Sequence, residues 1–192
     1  DEIVKVYKTK SEHSLDGSAY LGIFLYGVPG LGKSTLGKNL ALRFGTNLLK
    51  RYNPTRPGPN INSFLKNVKF TKEKPVIIMI DEYDRIVKSC YDESVKRATE
   101  YYQEVYDKNT LNNFIDSLSE KRGVILLCTS NNDKDWFVNN DCSSAIRCGR
   151  FSIRKELDYL TELEIRQLKE LGYSCGSRKL SDVTYCRDIK MD

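Results

Sequence analysis

A chain of 192 residues with 40% hydrophobic content is long enough to bury one α/β core and too short for several. Its 31 Lys and Arg stand against 26 Asp and Glu, a net charge of +5 that is too mild to single out a polyanionic partner. No apolar run reaches the length of a membrane span, no signal-like segment opens the chain, and six cysteines without a Cys-x-x-Cys pair stand beside a single histidine, His13, which argues against disulfide or zinc frameworks. These features predict a soluble protein with reduced thiols in an intracellular, cytoplasmic setting, with His13 on an exposed loop.

The first predicted strand, near residues 23–26, is Ile23-Phe24-Leu25-Tyr26, and it runs into Gly27-Val28-Pro29-Gly30-Leu31-Gly32-Lys33-Ser34-Thr35. This is G-x-x-x-x-G-K-S, a loop built to hold the phosphates of a nucleotide. Glycines at 27, 30 and 32 let successive N–H groups turn inward around an anion, and the next helix aims its positive dipole end at the same point. Lys33 adds a mobile charge for the outer phosphates, and the Ser34 hydroxyl is placed to ligate Mg²⁺. A plain glycine turn between strand and helix is the alternative. It is set aside because the apolar strand precedes the loop and Leu36, Leu40, Ala41 and Phe44 follow at helical spacing.

A second strand near 47–50 opens a basic, proline-rich segment, Lys50 to Pro59. Two readings stay open there: Lys50, Arg51 and Arg56 meeting a phosphate backbone while Tyr52 stacks on a base, or a rigid surface loop. Pro75-Val76-Ile77-Ile78-Met79-Ile80 is a continuous β-branched run, the pattern of a strand buried on both faces of a parallel sheet, and it ends in Asp81-Glu82. In such a sheet the ligand lies beyond the carboxyl ends of the strands, so Asp81 is read as holding the Mg²⁺ shell and Glu82 as polarising the attacking water. The alternative is that Asp81, Glu82 and Asp84 cap the following helix. Tyr91 to Lys108 is read as a helix with a solvated charged face and with Tyr102, Val105 and Tyr106 toward the core.

Val124-Ile125-Leu126-Leu127-Cys128 is the next buried strand, near 123–128, and Thr129-Ser130-Asn131 follows it. Asn131 is placed to bond both a γ-phosphate and the lytic water; an Asx turn is the alternative. Trp136-Phe137 reads as packing. In Ser143 to Phe151, Arg147 and Arg150 flank Gly149, and paired guanidinium groups suit the charge that spreads over a transferring phosphoryl group. They equally suit an exposed basic turn. A last strand is expected near 152–157. A helix should begin at Thr161, with Leu163, Ile165, Leu168 and Leu171 as its apolar stripe and Gly172 as its stop signal.

The order "FLYGVPGLGKST", "VIIMIDEYD", "VILLCTSN", "AIRCGRF" resembles the AAA+ ATPases over about residues 20–170. The resemblance implies a three-layer αβα sandwich with a parallel five-stranded sheet in the order 5-1-4-3-2. It implies ATP and Mg²⁺ as cofactors, Asn131 as sensor 1, and Arg147 and Arg150 as fingers reaching a neighbour's site. It also implies a homo-oligomeric ring such as a hexamer. "NTLNNFIDSLSEKRGVILLCTSN" looks like the branch of mitochondrial complex-assembly ATPases, and the segment at 50–59 stands where ring ATPases carry a pore loop. The viral superfamily-3 helicases share the first three motifs, so protein remodelling and nucleic-acid work both stay open. Residues 1–160 would form the core and 161–192 a partial lid; a start without Met and the short stretch after the last strand suggest a fragment. No sensor-2 arginine is recognisable, with Arg178 and Arg187 left open.

Overall fold

Parity along the strands divides the core into two faces. In β1 (Ala19–Gly27) Phe24 and Tyr26 join one apolar cluster while Leu21, Ile23 and Leu25 join the other. In β3 (Val76–Ile80) and β4 (Arg122–Thr129) the alternation repeats, with Val76, Ile78, Ile80, Val124, Leu126 and Cys128 on the first face and Ile77, Met79, Ile125 and Leu127 on the second. Side chains on a strand point to opposite sides, so a strand apolar at every position must be covered twice. The computed structural model describes residues 2–13, 19–58, 60–175 and 183–185.

Helices supply that cover. On the first face lie α3 (Ile61–Lys66), α4 (Tyr83–Tyr91), α5 (Lys108–Ser119) and α6 (Lys134–Asn139), together with the 3₁₀ turn Ser143–Ile146. The second face is covered by α1 (Glu2–His13) and α2 (Lys33–Phe44), which contribute Tyr7 and Leu40. Phe24 stands at the centre of the first cluster, ringed edge-on or tilted by Tyr83, Phe137 and Phe151. Trp136 packs edge-on against Phe137, the packing role expected of that pair.

With β2 (Leu48–Leu49) and β5 (Ile153–Leu157) the sheet has five strands, all parallel, in the order β2-β3-β4-β1-β5. That is the expected 5-1-4-3-2 read from the other edge. Each edge is modest: β2 has only 2 residues, and Arg154, Lys155 and Glu156 of β5 are exposed. After the sheet, α7 (Glu162–Glu170) begins with a capping box between Thr161 and Glu164, and Gly172 follows with φ 90°. A short antiparallel pair, β6 (Tyr173–Cys175) and β7 (Val183–Tyr185), has no counterpart in the sequence reading.

Two local readings are corrected. Residues 92–107 form an irregular segment, not a helix, because their polar groups bond another loop: Val105 donates its N–H to Pro54 O, and the Gln103 amide bonds Thr55 O and Ala98 N–H. Val105 is buried as expected, but Tyr102 is 58% exposed. His13 is exposed but ends α1, its ring bonded to Thr9 O, so it is no loop residue. Cys90, Cys128, Cys142 and Cys148 are free thiols, the first three buried. Burial pushes the Cys90 thiol up to about 12, which keeps it protonated and unreactive. Cys186, Arg178, Arg187, Pro59 and the side chain of Cys175 lie outside the described residues. Among the described residues no helix is long and apolar enough to cross a membrane.

Candidate nucleotide site

The register of the sheet brings the carboxyl ends of three strands to one edge. Leu25 pairs with Thr129 and Ile80 with Cys128, so the loop after β1, the acids after β3 and the polar run after β4 converge. Gly27, at φ 119°, turns the chain out of β1 at a point where a Cβ would lie 2.1 Å from the Leu157 carbonyl oxygen. Gly30 and Gly32 follow at φ 85° and 79°, the left-handed region that favours glycine. Gly32 offers no side-chain cap to α2, which leaves the helix's leading N–H groups to an external acceptor.

Lys33 is 7% exposed, and its ammonium donates to the carbonyls of Gly27 at 2.6 Å and Val28 at 2.8 Å. Burial lowers its pKa, with the charge of Asp84 opposing the shift. A cation folded back on neutral carbonyls in a partly dry site is poised for a stronger anionic partner. Next to it, Asp81 Oδ1 accepts from the Ser34 hydroxyl at 2.8 Å and from the Thr129 hydroxyl at 3.0 Å. One carboxylate oxygen therefore gathers a hydroxyl from α2 and another from β4, a donor set of hard oxygens suited to Mg²⁺.

Glu82 occupies the left-handed region at φ 53°, ψ 44°, a conformation that costs a non-glycine residue roughly 1–3 kcal/mol. It stands at the N-cap of α4 yet makes no side-chain cap, which removes the capping explanation for this acid. Its carboxylate instead pairs with Arg85 at 2.8 Å, both side chains being well exposed. Asp84 is 6% exposed; its Oδ2 accepts from the Asn132 amide at 2.8 Å, while its buried Oδ1 has no hydrogen-bond partner among the described residues. The Ser130 hydroxyl donates to Asn132 O and accepts from Asn132 N–H, which fixes the turn that carries Asn131. Asn131 is exposed and lines the cleft.

That cleft has a volume of about 1350 Å³ and is lined by Pro29 to Thr35, Asp81, Glu82 and Asn131. Gly27 and Val28 do not themselves line it, and are tied to it through the carbonyls that hold Lys33. The same lining includes an apolar wall of Ile3 and Val6 of α1, Leu36, Ile153 and Leu157. Sequence reasoning missed this wall. The apolar residues of α1 were its only signal, and nothing local connects them to a loop thirty residues on.

The two arginines part company. Arg150 is 4% exposed and grips Asp116 through two bonds of 2.9 Å, while its third nitrogen bonds Asn112 Oδ1 and Ser144 O. These hydrogen bonds, and then the charges of Arg150 and Arg147, hold the Asp116 carboxyl below its ordinary range against an opposing push from burial. Arg147 is 58% exposed, with only a looser 3.6 Å contact to Asp116. Neither arginine lines the cleft of its own chain. Each guanidinium nitrogen of Arg150 is thus engaged within the chain, whereas the Arg147 guanidinium is exposed.

Glycine cradle, buried lysine and the Ser34–Asp81 pair together fit a magnesium-bound nucleotide. The family model described as "ATPase family associated with various cellular activities (AAA)" matches residues 23–159. The chain belongs to the AAA ATPase family. Membership in the AAA family implies nucleotide binding, and the matched span runs from Ile23, inside β1, to beyond the end of β5. A Lon protease of Magnetococcus marinus is 27% identical over 143 residues, 68% of this chain, and the chain spans 17% of that relative's length. Among solved structures, the FIGL-1 AAA domain in complex with ADP superimposes with a TM-score of 0.52 at 19% identity, covering 88% of this chain and 53% of that one. The Thermotoga maritima RuvB Holliday junction branch migration motor gives 0.47 at 18% identity, covering 88% and 46%. At these identities the likeness concerns the fold alone.

Proposed function

We propose that this AAA chain binds ATP with Mg²⁺ and hydrolyses it, working in a homo-oligomeric ring. The observation that carries the reading is the convergence of Ser34 and Thr129 on Asp81 at the mouth of the glycine loop, with Glu82 next in sequence. The glycine loop's N–H groups and Lys33 hold the phosphates, Lys33 exchanging two carbonyl partners for anionic oxygens. Ser34 and Asp81 hold the metal, which supplies charge to offset that of the phosphates. Glu82 orients and polarises the attacking water, and the exposure of its carboxylate beside Arg85 leaves it room to do so. Asn131, presented by the Ser130–Asn132 turn, bonds the outer phosphate. The apolar wall of Ile3, Val6, Leu36, Ile153 and Leu157 takes the base, as an apolar slot opposite a polar phosphate end would.

For the ring, Arg147 is the arginine offered to a neighbouring subunit, being exposed and not among the residues that line its own cleft. Arg150 acts beneath it as a positioning residue: by neutralising most of Asp116 it leaves Arg147 only weakly held. The FIGL-1 domain, a fold neighbour, was captured with ADP, which agrees with a nucleotide in the corresponding cleft. The test is phosphate release from ATP as Mg²⁺ is titrated, for the wild type and Ser34→Ala. Metal-dependent turnover whose midpoint rises at least about tenfold in Ser34→Ala is expected; turnover insensitive to Mg²⁺ would overturn the reading.

A further inference from the structure

Two segments outside the nucleotide chemistry are bound into one surface. The loop 50–58 and the irregular stretch 92–107 run side by side: Gly58 donates its N–H to Tyr102 O at 2.8 Å, Val105 to Pro54 O at 3.1 Å, and the buried Gln103 amide to Thr55 O at 2.7 Å. Pro54 and Val105 are buried beneath. Toward water the first segment presents Lys50, Arg51 and Arg56, and the second Lys96, Arg97, Tyr101 and Tyr102. Tyr101 is 68% exposed and Tyr102 58%.

The acids on these segments are largely engaged. Asp92 pairs with Lys88 at 3.0 Å, Glu104 accepts from the Tyr52 hydroxyl and the Ile61 N–H, and Asp107 caps α5. Arg97 lies over the Tyr106 ring, so Glu93 and Glu100 remain against four cations, Lys50, Arg51, Arg56 and Lys96. Tyr52 cannot be the stacking residue that the sequence suggested, since its ring lies on Phe114 and its hydroxyl on Glu104. The rings free to stack are Tyr101 and Tyr102. Arg51 and Arg56 also border the nucleotide cleft, so the surface adjoins the ATPase site.

We infer that this two-loop surface binds single-stranded nucleic acid, with Arg51 and Arg56 on the phosphate backbone and Tyr101 and Tyr102 against bases. Cations beside exposed aromatic faces match what an unpaired strand presents, a repeating negative charge and a π-face at every nucleotide. A polypeptide would match both features only where acidic side chains fell at the spacing of the cations, whereas a nucleic-acid strand carries a charge at every residue. The inference names the substrate class of the proposed ATPase and rests on that reading, but binding is measured without ATP.

The experiment is fluorescence anisotropy of a labelled single-stranded oligothymidylate and oligouridylate of about 20 nucleotides, titrated with the full chain free of nucleotide at about 50 to 200 mM salt. Arg51→Ala/Arg56→Ala is expected to weaken binding about tenfold or more and to flatten the salt dependence by about 1.4, or about 0.7 for each phosphate that is no longer neutralised. Tyr101→Ala/Tyr102→Ala is expected to weaken binding about 30-fold or more and leave the salt slope unchanged. Circular dichroism confirms that both variants fold. Absence of salt-dependent oligonucleotide binding, wild-type affinity in either variant, or capture of unfolded casein through these residues in place of the oligonucleotide would each overturn the inference. Turnover of the wild type is read in parallel: strand binding without hydrolysis sinks the ATPase reading and leaves this surface, and hydrolysis without strand binding does the reverse.

Discussion

Arg150 and Asp116 meet through two parallel hydrogen bonds of 2.9 Å, joining the turn before β5 to the outer turn of α5. The backbone of Arg150 is held as firmly as its side chain. Its carbonyl accepts from the Tyr20 hydroxyl at 3.0 Å, and a Cβ added at Gly22 would lie 1.9 Å from the same oxygen. The turn carrying Arg147 is thereby pinned to β1, the strand that launches the phosphate loop.

Arg150→Ala should cost about 2–4 kcal/mol of stability, since it strands Asp116, Asn112 and the Ser144 carbonyl while part of Asp116 remains solvated. Arg150→Lys should recover only part of this, because an ammonium cannot make the paired geometry. Urea unfolding monitored by circular dichroism measures both. A loss below about 0.5 kcal/mol in Arg150→Ala would show that the pair is an exposed one in solution.

The same pair predicts an acid-dependent stability. Because the folded-state pKa of Asp116 is depressed, its contribution is complete above the unfolded value of about 3.9 and is lost as pH falls through the folded value. The stability gap between wild type and Asp116→Asn should be flat from neutral pH to about pH 4 and then close. Denaturant midpoints across that range check it; a gap that widens on acidification contradicts the assignment.

Lys33→Ala should abolish nucleotide binding, whereas Glu82→Gln should bind ATP as the wild type does and turn over at least about a hundredfold more slowly. Lys33 contacts ground-state phosphates, and Glu82 matters chiefly to water. Equilibrium binding of a fluorescent ATP analogue and steady-state phosphate release separate the two. Unchanged turnover in Glu82→Gln would remove it from the mechanism.

If Arg147 serves a neighbour's site, specific activity should rise with protein concentration, and Arg147→Ala should lower turnover by about 10³ or more while leaving ATP affinity nearly intact. Mixing makes this sharper. A Glu82→Gln subunit still carries Arg147, so adding it to Arg147→Ala protein should restore hydrolysis at mixed interfaces. No rescue, together with activity independent of concentration, would return Arg147 to an ordinary exposed turn.

The sheet and the phosphate loop were legible because their causes are local. Continuous apolar runs such as Val76 to Ile80 force two-sided burial, and glycines at 27, 30 and 32 are needed by the backbone itself. What escaped depended on distant partners. Arg147 and Arg150 look alike in sequence; Asp116, lying 34 residues before Arg150 as the single acid of a helix, makes them different. The run Tyr91 to Lys108 carries charges at helical intervals, yet the buried amide of Gln103 spends its bonds on Thr55 and Ala98 and holds the chain irregular. The apolar wall of the cleft failed to show for the same reason, since Ile3 and Ile153 share a cleft only after the sheet has formed.

The modest margins of the sheet have a consequence for how copies of this chain can meet. An open strand edge is a template for unwanted pairing, and aggregation by strand addition needs several exposed N–H and C=O groups in a flat, uncharged row. Leu48–Leu49 is too short to offer such a row, and Arg154, Lys155 and Glu156 place charge along the other margin. The five-stranded sheet should therefore resist growth by strand addition, and its two edges are poor surfaces for joining one copy of the chain to another.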